Sequence, residues 1–508
     1  MHDEQDDVLL PRTWLAGLGV VSFLVLASLA PRVMGEGDSA EFTLALALTG
    51  VPHPPGYPLY TLAGSVFVHA LRGLGFGWAH AANLWSAVGA AIAILLTAAL
   101  ADRMILSALR LGRAPRAILV AAALAVMAVN PVFMRAATQA EVYSWEVAWT
   151  ALSALAALAL LDRIETRVSA SARSEVLASL LWGALMGVVL AHRPTMAATA
   201  VPLTIVLAAT LARHARLRPA LALAAVSGAC LPVTGQLFIA WRAAHPAAFQ
   251  WPMLQPTAQS VLAHASGRYY RAYLGGGAGG DGGGLFGSAL LPVFVFAALA
   301  AVLAAPRLRG SRAGMVLLAL IVGSVLQSAF VAVYHVSDFV FFLLPLLVPA
   351  VVLLACGAAV LLGRVAAPVI PSALLLAIVA LFAALAVRSE MAHARAIAQI
   401  DDDVRAAFIA LPFERGVVVW NSDSWTRLLG YQLLERRKPG IVVLNGSVLT
   451  WQPARRAATQ RLGFDPLAGL TLRTDADLAL IARHVASHTG QPVVDFGVWW
   501  ESGGAASR

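Results

Sequence analysis

Residues 338–362 read DFVFFLLPLLVPAVVLLACGAAVLL, a run with a single charged residue at its start. Apolar runs of this kind recur from Trp14 to Val387, and about 20 such residues form a helix that crosses roughly 30 Å of hydrocarbon. Of the 508 residues, 59% are hydrophobic and 12% are charged, a charged fraction well below that of ordinary soluble domains. The composition excludes a soluble enzyme and predicts an all-α polytopic membrane protein.

The number of spans is inferred from the loop arginines, because loops rich in Lys and Arg remain cytoplasmic. The stretch from Leu59 to Gly75 is ambiguous, and the arginine-rich loops fall on one face only if this stretch lies along the membrane surface as a short amphipathic helix. That arrangement predicts a cytoplasmic N-terminus, an outer C-terminus and eleven spans. The predicted spans lie near residues 14–33, 81–101, 117–134, 145–161, 176–191, 196–212, 220–241, 285–305, 314–334, 338–362 and 368–387.

Beyond Arg388 the composition becomes that of a soluble domain. Two short β-branched runs, residues 416–420 and 441–444, flank a helix-like stretch at 425–437, which predicts a small α/β domain. We therefore divide the chain into a transmembrane domain, residues 1–388, and an extracytoplasmic domain, residues 389–508. The glycine-rich stretch 275–284 is predicted to be a flexible part of a large outer loop.

The net charge of +9 would suggest nucleic acid in a soluble protein. Here the arginines lie in short loops between apolar runs, so membrane topology explains them and no nucleic-acid partner is predicted. Cys230 and Cys356 both lie in apolar segments, which indicates small hydrophobic residues and no disulfide framework. Residues 1–7 are acidic and no small-residue cleavage site follows the first apolar run, so that run is predicted to be a retained helix.

Two carboxylates, Asp38 and Glu41, stand three residues apart just past the first span. One helical turn would place both on one face at the membrane surface. Helix capping by Asp38 or Ser39, with Glu41 in the first turn, is the other interpretation and the one that the spacing alone favours. The following run from His53 to Pro58 cannot be helical because three of its residues are proline; it predicts either a rigid turn or a rigid wall beside a site.

Further polar groups are predicted near the same outer face, at or near helix ends. Single arginines there could extend to the headgroups, and single tyrosines could belong to the aromatic belt. Taken together, charges of both signs at one depth are unusual for lipid-facing residues and suit an anionic phosphate beside a carboxylate. The set comprises Arg135, Glu141, Tyr143, His192, Arg193, Arg268, Tyr269, Tyr270, Arg271, Tyr334, His335 and Asp338.

Three segments read in order carry a resemblance: GDSAEF at 37–42, HPPGYPLY at 53–60 and EVY at 141–143. They resemble the membrane family that includes the eukaryotic O-mannosyltransferase of plexin-type domains, which is similar to the GT-C superfamily of polyprenyl-phosphate-sugar glycosyltransferases. The resemblance covers roughly the first 200 residues. Ala40 replaces the family's usual glycine, and AHRPT at 191–195 stands where the family has a His-His-Arg-Thr-like stretch.

This resemblance implies a GT-C-like fold and an inverting transfer of a hexose, such as mannose, from a polyprenyl phosphate to an extracytoplasmic hydroxyl. Asp38 would be the general base and Glu41 would assist or orient it. His53 and Tyr57 would shape the sugar pocket, Glu141 and Tyr143 would contribute to the donor site, and arginines would stabilise the departing phosphate. The candidates for that last role are Arg135, His192, Arg193, Arg268 and Arg271.

On the same resemblance no metal or other cofactor is required, and the lipid-linked sugar is a substrate. The acceptor could be a protein, a glycan or a lipid, and the expected location is the bacterial inner membrane with the C-terminal domain in the periplasm. Two other functions stay open. A transporter or flippase would place ionisable residues near the bilayer midplane, where Glu146 and Gln236 are the nearest cases; a non-catalytic relative would act through Asp423 and Trp425 of its C-terminal domain.

Overall fold

The computed structural model describes residues 9–108, 111–166, 171–275, 282–336, 338–364, 369–422, 424–472 and 478–501. The acidic N-terminal residues 1–7, residues 276–281 of the glycine-rich stretch and Asp423 lie outside these ranges.

Helices long and apolar enough to cross a membrane dominate the described part of the chain. There are ten, or eleven if one bent pair counts as a single span, so the prediction of a polytopic protein with about eleven spans is confirmed. The ten are Arg12–Leu29, Trp78–Ser107, Tyr143–Glu165, Ala172–His192, Pro194–Arg213, Pro219–Ala244, Gly283–Leu308, Arg312–Val333, Phe339–Leu362 and Leu374–Ile409.

The predicted span at 117–134 is not one straight helix. Arg113–Ala128 and Pro131–Thr138 are two helices that meet at 74°. Proline disfavours helical geometry in the residue before it, and Asn130 accordingly leaves the helix, with its side-chain oxygen accepting the N–H of Val132 at 3.1 Å. Asn130 thus caps the second helix, and Pro131 occupies the first helical position.

The last long helix, Val369–Ile409, has 41 residues and is about 60 Å long at 1.5 Å per residue. We predicted that the last span ends at 387, and the helix itself continues well beyond that point. The sequence from 388 to 409 becomes charged but keeps strong helix formers such as alanine, arginine and glutamate. The membrane-compatible composition therefore ends before the helix does.

The ambiguous stretch after the proline-rich run forms the 16-residue helix Pro58–Gly73. It is not among the described helices that are long and apolar enough to span. Tyr57 precedes it with a φ of 41°, and Pro58 takes the first helical position.

The chain forms two compact units: a first unit of Met1–Ala30, Ser86–Gly235 and Tyr270–Ala392, and a second unit of Pro31–Trp85, Gln236–Tyr269 and His393–Arg508. The boundary predicted at 388/389 separates a transmembrane part from an extracytoplasmic part, which the division into compact units does not test, so it stays a prediction. In the first unit, Ala172–His192 and Pro219–Val233 approach closely through glycine. A Cβ added at Gly183 would collide with the carbonyl of Ala225, and one at Gly228 with that of Leu180, which is typical of small-residue packing in membranes.

The second unit contains the predicted α/β fold. Its three parallel strands are β1, Arg415–Val419; β2, Gly440–Leu444; and β3, Val493–Asp495, in the order β2-β1-β3. Helix Trp425–Leu433 connects the first two strands, as predicted, whereas the three-residue β3 was not anticipated. One face of the sheet packs against Phe408, Leu428 and Phe496, and the other against Leu467, Ile481 and Val485.

The remaining elements either are parts of these spans or connect the spans and strands. They are the helices Ser39–Leu48, Ala197–Arg213, Gln236–Ala244, Ala258–Ala265, Gly282–Leu285, Leu291–Leu308, Leu347–Leu362, Gly446–Leu449, Gln452–Leu462, Ala479–His488 and Phe496–Glu501, the 3-10 turns Pro194–Met196, Arg268–Tyr273 and Phe339–Leu346, and the π turn Phe286–Leu290.

Candidate active site

The predicted carboxylate pair lies at the start of helix Ser39–Leu48 in the second unit. Asp38 occupies the N-cap position, but its side chain makes no capping hydrogen bond among the described residues. The hydroxyl of Ser39 instead accepts the N–H of Gly35 at 3.1 Å. Glu41 lies in the first turn as expected, where the helix dipole stabilises a negative charge. The capping interpretation is therefore wrong for the side chain of Asp38.

Glu41 and His53 form a buried pair. The Glu41 side chain is 3% exposed and that of His53 is 11% exposed. Nδ1 of His53 lies 3.1 Å from Oε1 of Glu41, and the same oxygen accepts the backbone N–H of His53. One carboxylate thus orients both the ring and the main chain of the proline-rich turn, and it favours the tautomer with its proton on Nδ1.

Asp38 is the accessible member of the group, with 45% of its side chain exposed. Its Oδ2 lies 3.8 Å from Nε2 of His53, and the Tyr57 hydroxyl lies 3.4 Å from the same nitrogen. The structure therefore brings together four residues that the sequence predicted: Asp38, Glu41, His53 and Tyr57. The four differ in exposure: Asp38 is accessible to solvent, whereas Glu41 and His53 form a buried pair next to it.

Aromatic rings pack against His53 and Tyr57 of this cluster. Phe42 packs edge-on against His53, Tyr57 and Tyr60 at centroid distances of 5.4, 5.5 and 5.6 Å, and Trp251 lies 6.0 Å from the His53 ring. Tyr57 is only 2% exposed, so its ring is part of the packed wall. Trp251 was not predicted as part of the site, because it lies almost 200 residues further along the chain.

The loop that carries Trp251 also fixes the proline-rich turn. The N–H of Trp251 donates to the carbonyl of Val51 at 2.8 Å, and Nε2 of the buried His264 donates to the carbonyl of Pro52 at 3.0 Å. Burial of His264 lowers its pKa to about 3, against the opposing effect of the Pro52 hydrogen bond. Gly56, with a φ of 88°, fits closely beneath this histidine, since an added Cβ would lie 3.2 Å from Nε2.

The same three residues are the group in the described chain that could hold a metal. One ligand atom from each of Asp38, Glu41 and His53 lies within 4.8 Å of the others. Both ring nitrogens of His53 already face a carboxylate, however. The histidine therefore serves as a bridge between the two acids in this arrangement.

The first unit gathers a second set of predicted residues. Nη1 of Arg193 donates to Oε1 of Glu146 at 2.7 Å, and its guanidinium lies over the rings of Phe342 at 3.7 Å and Tyr143 at 4.8 Å. Both members of the pair are buried. The sequence marked Glu146 as an intramembrane carboxylate but not as the partner of Arg193.

Around this pair the other predicted residues are fixed as well. The Tyr143 hydroxyl donates to Asp338 at 3.0 Å, and Nε2 of His192 donates to the carbonyl of Val142 at 3.2 Å. The N–H of Glu141 donates to the Ser86 hydroxyl at 2.9 Å. These bonds hold the EVY segment from both sides, so its residues pack into the first unit.

The remaining predicted arginines differ in exposure. Arg135 lies half-buried in helix Pro131–Thr138. Arg268 and Arg271 are exposed in the 3-10 turn Arg268–Tyr273, where Arg268 belongs to the second unit and Arg271 to the first. The roles of all of these arginines in phosphate binding stay predictions.

Comparison with known proteins bears on the site directly. Residues 38–216 match the sequence model described as the protein O-mannosyl-transferase TMEM260 N-terminal domain. This segment begins at Asp38 and includes both motifs that carry the acidic cluster. No curated protein sequence matches the chain.

Solved structures agree on the fold. ArnT from Cupriavidus metallidurans bound to undecaprenyl phosphate is 14% identical, with a TM-score of 0.53, and the match covers 89% of this chain and 92% of that one. The apo state of the same protein is 15% identical, with a TM-score of 0.52 and coverage of 89% and 94%. AglB from Archaeoglobus fulgidus is more distant, at 13% identity and a TM-score of 0.48, covering 85% of this chain and 64% of that one.

The matched sequence model favours the enzyme over the transporter. Residues 38–216 are similar to the protein O-mannosyl-transferase TMEM260 N-terminal domain, which indicates a membrane glycosyltransferase, and the chain as a whole shares the fold of ArnT.

Proposed function

We propose that the chain transfers a hexose, with mannose as the first candidate, from a polyprenyl phosphate to a serine or threonine hydroxyl of a protein outside the cytoplasm. The family description supports the sugar and the acceptor, and an undecaprenyl phosphate complex on the same fold supports the donor. The observation that carries the proposal is the exposed Asp38 carboxylate in front of the buried Glu41–His53 pair.

In the proposed reaction Asp38 removes the proton of the acceptor hydroxyl as its oxygen attacks the anomeric carbon. The new carbon–oxygen bond forms as the bond from that carbon to the phosphate oxygen breaks, and the configuration inverts. The products are the glycosylated acceptor, the polyprenyl phosphate anion and a protonated Asp38. Nε2 of His53, at 3.8 Å, is the nearest nitrogen to share that proton.

The departing phosphate needs positive charge rather than a strong acid. The guanidinium of Arg193 is already paired with Glu146, which leaves it poorly suited to a second anion. Arg268 is exposed and belongs to the same unit as Asp38. We therefore assign the phosphate first to Arg268. Replacing it with glutamine should raise the KM for the donor more than it lowers kcat.

The proposed orientation places the N-terminus in the cytoplasm and residues 389–508 outside it, in the inner membrane of a bacterium. The arginine-rich loops support this orientation through the positive-inside rule. The prenyl tail would lie among the membrane helices, and the sugar would meet the acceptor at the outer surface.

The decisive experiment uses the full-length protein in detergent with polyprenyl-phosphate [³H]mannose and a serine- and threonine-containing peptide. Asp38→Asn keeps the shape of the side chain and removes the base, so transfer should fall by about 10²- to 10⁴-fold. Glu36→Gln is the matched control: it neutralises an exposed acid two residues away, which pairs with His393 at 3.5 Å.

Thermal unfolding of both variants should match the wild type, and the anomeric configuration of the product should be opposite to that of the donor. Full activity in a folded Asp38→Asn protein would exclude this residue as the base. A product that retains the donor configuration would exclude direct displacement.

A further inference from the structure

Arg427, on the helix that follows β1, reaches the loop that carries Asp38. Its side chain is 2% exposed, and its Nη2 donates to the carbonyl of Gly35 at 2.6 Å. Gly35 lies three residues before Asp38 in the sequence. A charged donor aimed at a backbone carbonyl in a buried position makes a strong, directional bond, so this contact fixes the main chain close to the candidate base.

Arg427 is itself held in place by Asp401. Its Nη1 donates to Oδ1 of Asp401 at 2.9 Å, and the Asp401 side chain is completely buried. The same carboxylate receives Arg405 at 2.7 Å and the Tyr431 hydroxyl at 2.9 Å. A buried carboxylate with three donors has little freedom to move, and it therefore fixes the direction of the Arg427 guanidinium.

The loop between Gly35 and Ser39 is closed on itself. The N–H of Gly35 donates to the Ser39 hydroxyl at 3.1 Å, and the N–H of Ser39 donates to the carbonyl of Glu36 at 3.1 Å. Gly37 has a φ of 55°, which allows this tight turn. Displacing the Gly35 carbonyl would therefore shift the whole turn, including the backbone of Asp38.

Apolar packing holds the same two segments together. Met34 and Ala40 belong to one buried cluster with Phe408, Leu428 and Tyr431. A Cβ on Gly430 would lie 2.6 Å from Sδ of Met34, so the helix carrying Arg427 is in close contact with the chain on the N-terminal side of the loop. The C-terminal segment thus contributes directly to the surroundings of Asp38.

We propose that Arg427, oriented by Asp401, is a positioning residue that holds the Gly35–Ser39 loop and thereby sets the place of the Asp38 carboxylate. This inference rests on the proposed function for its catalytic consequence. Its structural content is independent: the Asp401–Arg427 pair orders the loop. It also gives residues 389–508 a part in the reaction without any contact with the substrate.

The chain offers a matched control in Arg405. Both arginines bind the Asp401 carboxylate, but the described contact with the Gly35 carbonyl comes from Arg427. Arg427→Gln and Arg405→Gln each remove one charge from the same network, and Arg427→Lys keeps the charge at the first position. All three would be prepared as full-length protein and compared with the wild type and Asp38→Asn.

Two measurements separate positioning from general stability. In transfer assays below the unfolding temperature of every variant, Arg427→Gln should lower kcat about 10- to 100-fold with the donor KM within about twofold of wild type. Arg427→Lys should restore part of that loss, and Arg405→Gln should lower kcat clearly less than Arg427→Gln because Asp401 keeps two of its three donors. In hydrogen-exchange mass spectrometry, Arg427→Gln should accelerate exchange in residues 34–42, whereas Arg405→Gln should leave that segment protected.

Equal losses of kcat in the two glutamine variants, or unchanged exchange of residues 34–42 in Arg427→Gln, would overturn the inference. If the wild type transfers no sugar, the proposed function is wrong, and the exchange data alone still decide whether Arg427 orders the loop. If the wild type is active and Asp38→Asn is inactive while Arg427→Gln has normal kcat, the positioning role is wrong and the proposed function stands.

Discussion

Oε1 of Glu41 lies 3.1 Å from Nδ1 of His53 and also accepts the backbone N–H of that residue. One oxygen of a buried side chain thus links the helix that follows Asp38 to the proline-rich turn. The two sequence motifs are eleven residues apart at their facing ends, and this carboxylate joins them. We propose that it orients the histidine rather than acting as a second base.

Glu41→Gln preserves the size of the side chain and removes its charge. We expect turnover to fall about 10- to 100-fold, because the loss of a charged partner lets the histidine move and small misplacements near a reacting group cost up to about 10²-fold. The donor KM should change little because Glu41 is buried away from solvent. Steady-state kinetics would test this, and a rise in donor KM with constant kcat would contradict it.

Removal of metal ions should leave the activity unchanged. Both ring nitrogens of His53 face carboxylates, so we expect the histidine to bridge the two acids rather than to ligate a metal. Dialysis against EDTA followed by the transfer assay would test this expectation. Loss of activity that Mn²⁺ or Zn²⁺ restores would instead establish Asp38, Glu41 and His53 as metal ligands.

Gly56→Ala should destabilise the second unit. Gly56 has a φ of 88°, and an added Cβ would lie 2.7 Å from Cδ1 of Ile239. The conformational cost and the overlap together should amount to about 3 kcal/mol. Gly463→Ala is the control, since its φ is 80° but no atom lies within 4 Å; it should cost about 1 kcal/mol. Equal losses in thermal unfolding would show that the packing beneath His264 contributes nothing.

The stability of the protein should depend on pH through His264. Burial lowers the pKa of this histidine from 6.5 to about 3 in the folded state. The unfolded chain therefore binds a proton at His264 below pH 6.5, whereas the folded chain does not bind one until about pH 3. The folding free energy that is present above pH 6.5 is therefore lost as the pH falls toward 3. Between pH 8 and pH 5 the wild type should lose about 2 kcal/mol more than His264→Gln. Parallel stability curves for the two proteins would rule this out.

The buried pair of Glu146 and Arg193 should show strong coupling. Arg193→Met alone leaves an uncompensated buried carboxylate and should lower the free energy of unfolding by about 3 to 5 kcal/mol. Glu146→Gln leaves an uncompensated buried guanidinium and should lower it by a similar amount. The double variant should cost much less than the sum of the two. A double-mutant cycle on detergent-solubilised protein measures the coupling, and additive losses would mean that the two groups act separately.

Local patterns in the sequence were sufficient for much of the second unit. The i,i+3 spacing of Asp38 and Glu41 predicted one helical turn, and the prolines between His53 and Pro58 predicted a turn ahead of a helix; both are observed. Strands β1 and β2 lie within one residue of the predicted β-branched runs. β3 was missed because three residues are too few to show a two-residue alternation.

The contacts that orient the site could not be predicted in this way. His264 reaches Pro52 across 212 residues, and neither position has a local pattern that indicates the other. The positive-inside rule treats a loop arginine such as Arg116 only as a topological charge, whereas Arg116 is fully buried and pairs with Asp102 at 2.7 Å. A single sequence gives the type of a residue and its local period, but it does not give the partner that long-range packing provides.

The bond from Arg427 to Gly35 spans 392 residues of chain, which has a consequence for biosynthesis. At about 5 to 20 residues per second, a ribosome needs roughly 20 to 80 seconds to synthesise that interval. During this time the early helices enter the bilayer, and the loop bearing Asp38 lacks the hydrogen bond from Arg427. If Arg427 positions Asp38 as proposed, a nascent chain gains its ordered acidic centre only near the end of translation, and we expect a chain that terminates after the last span to be inserted but inactive.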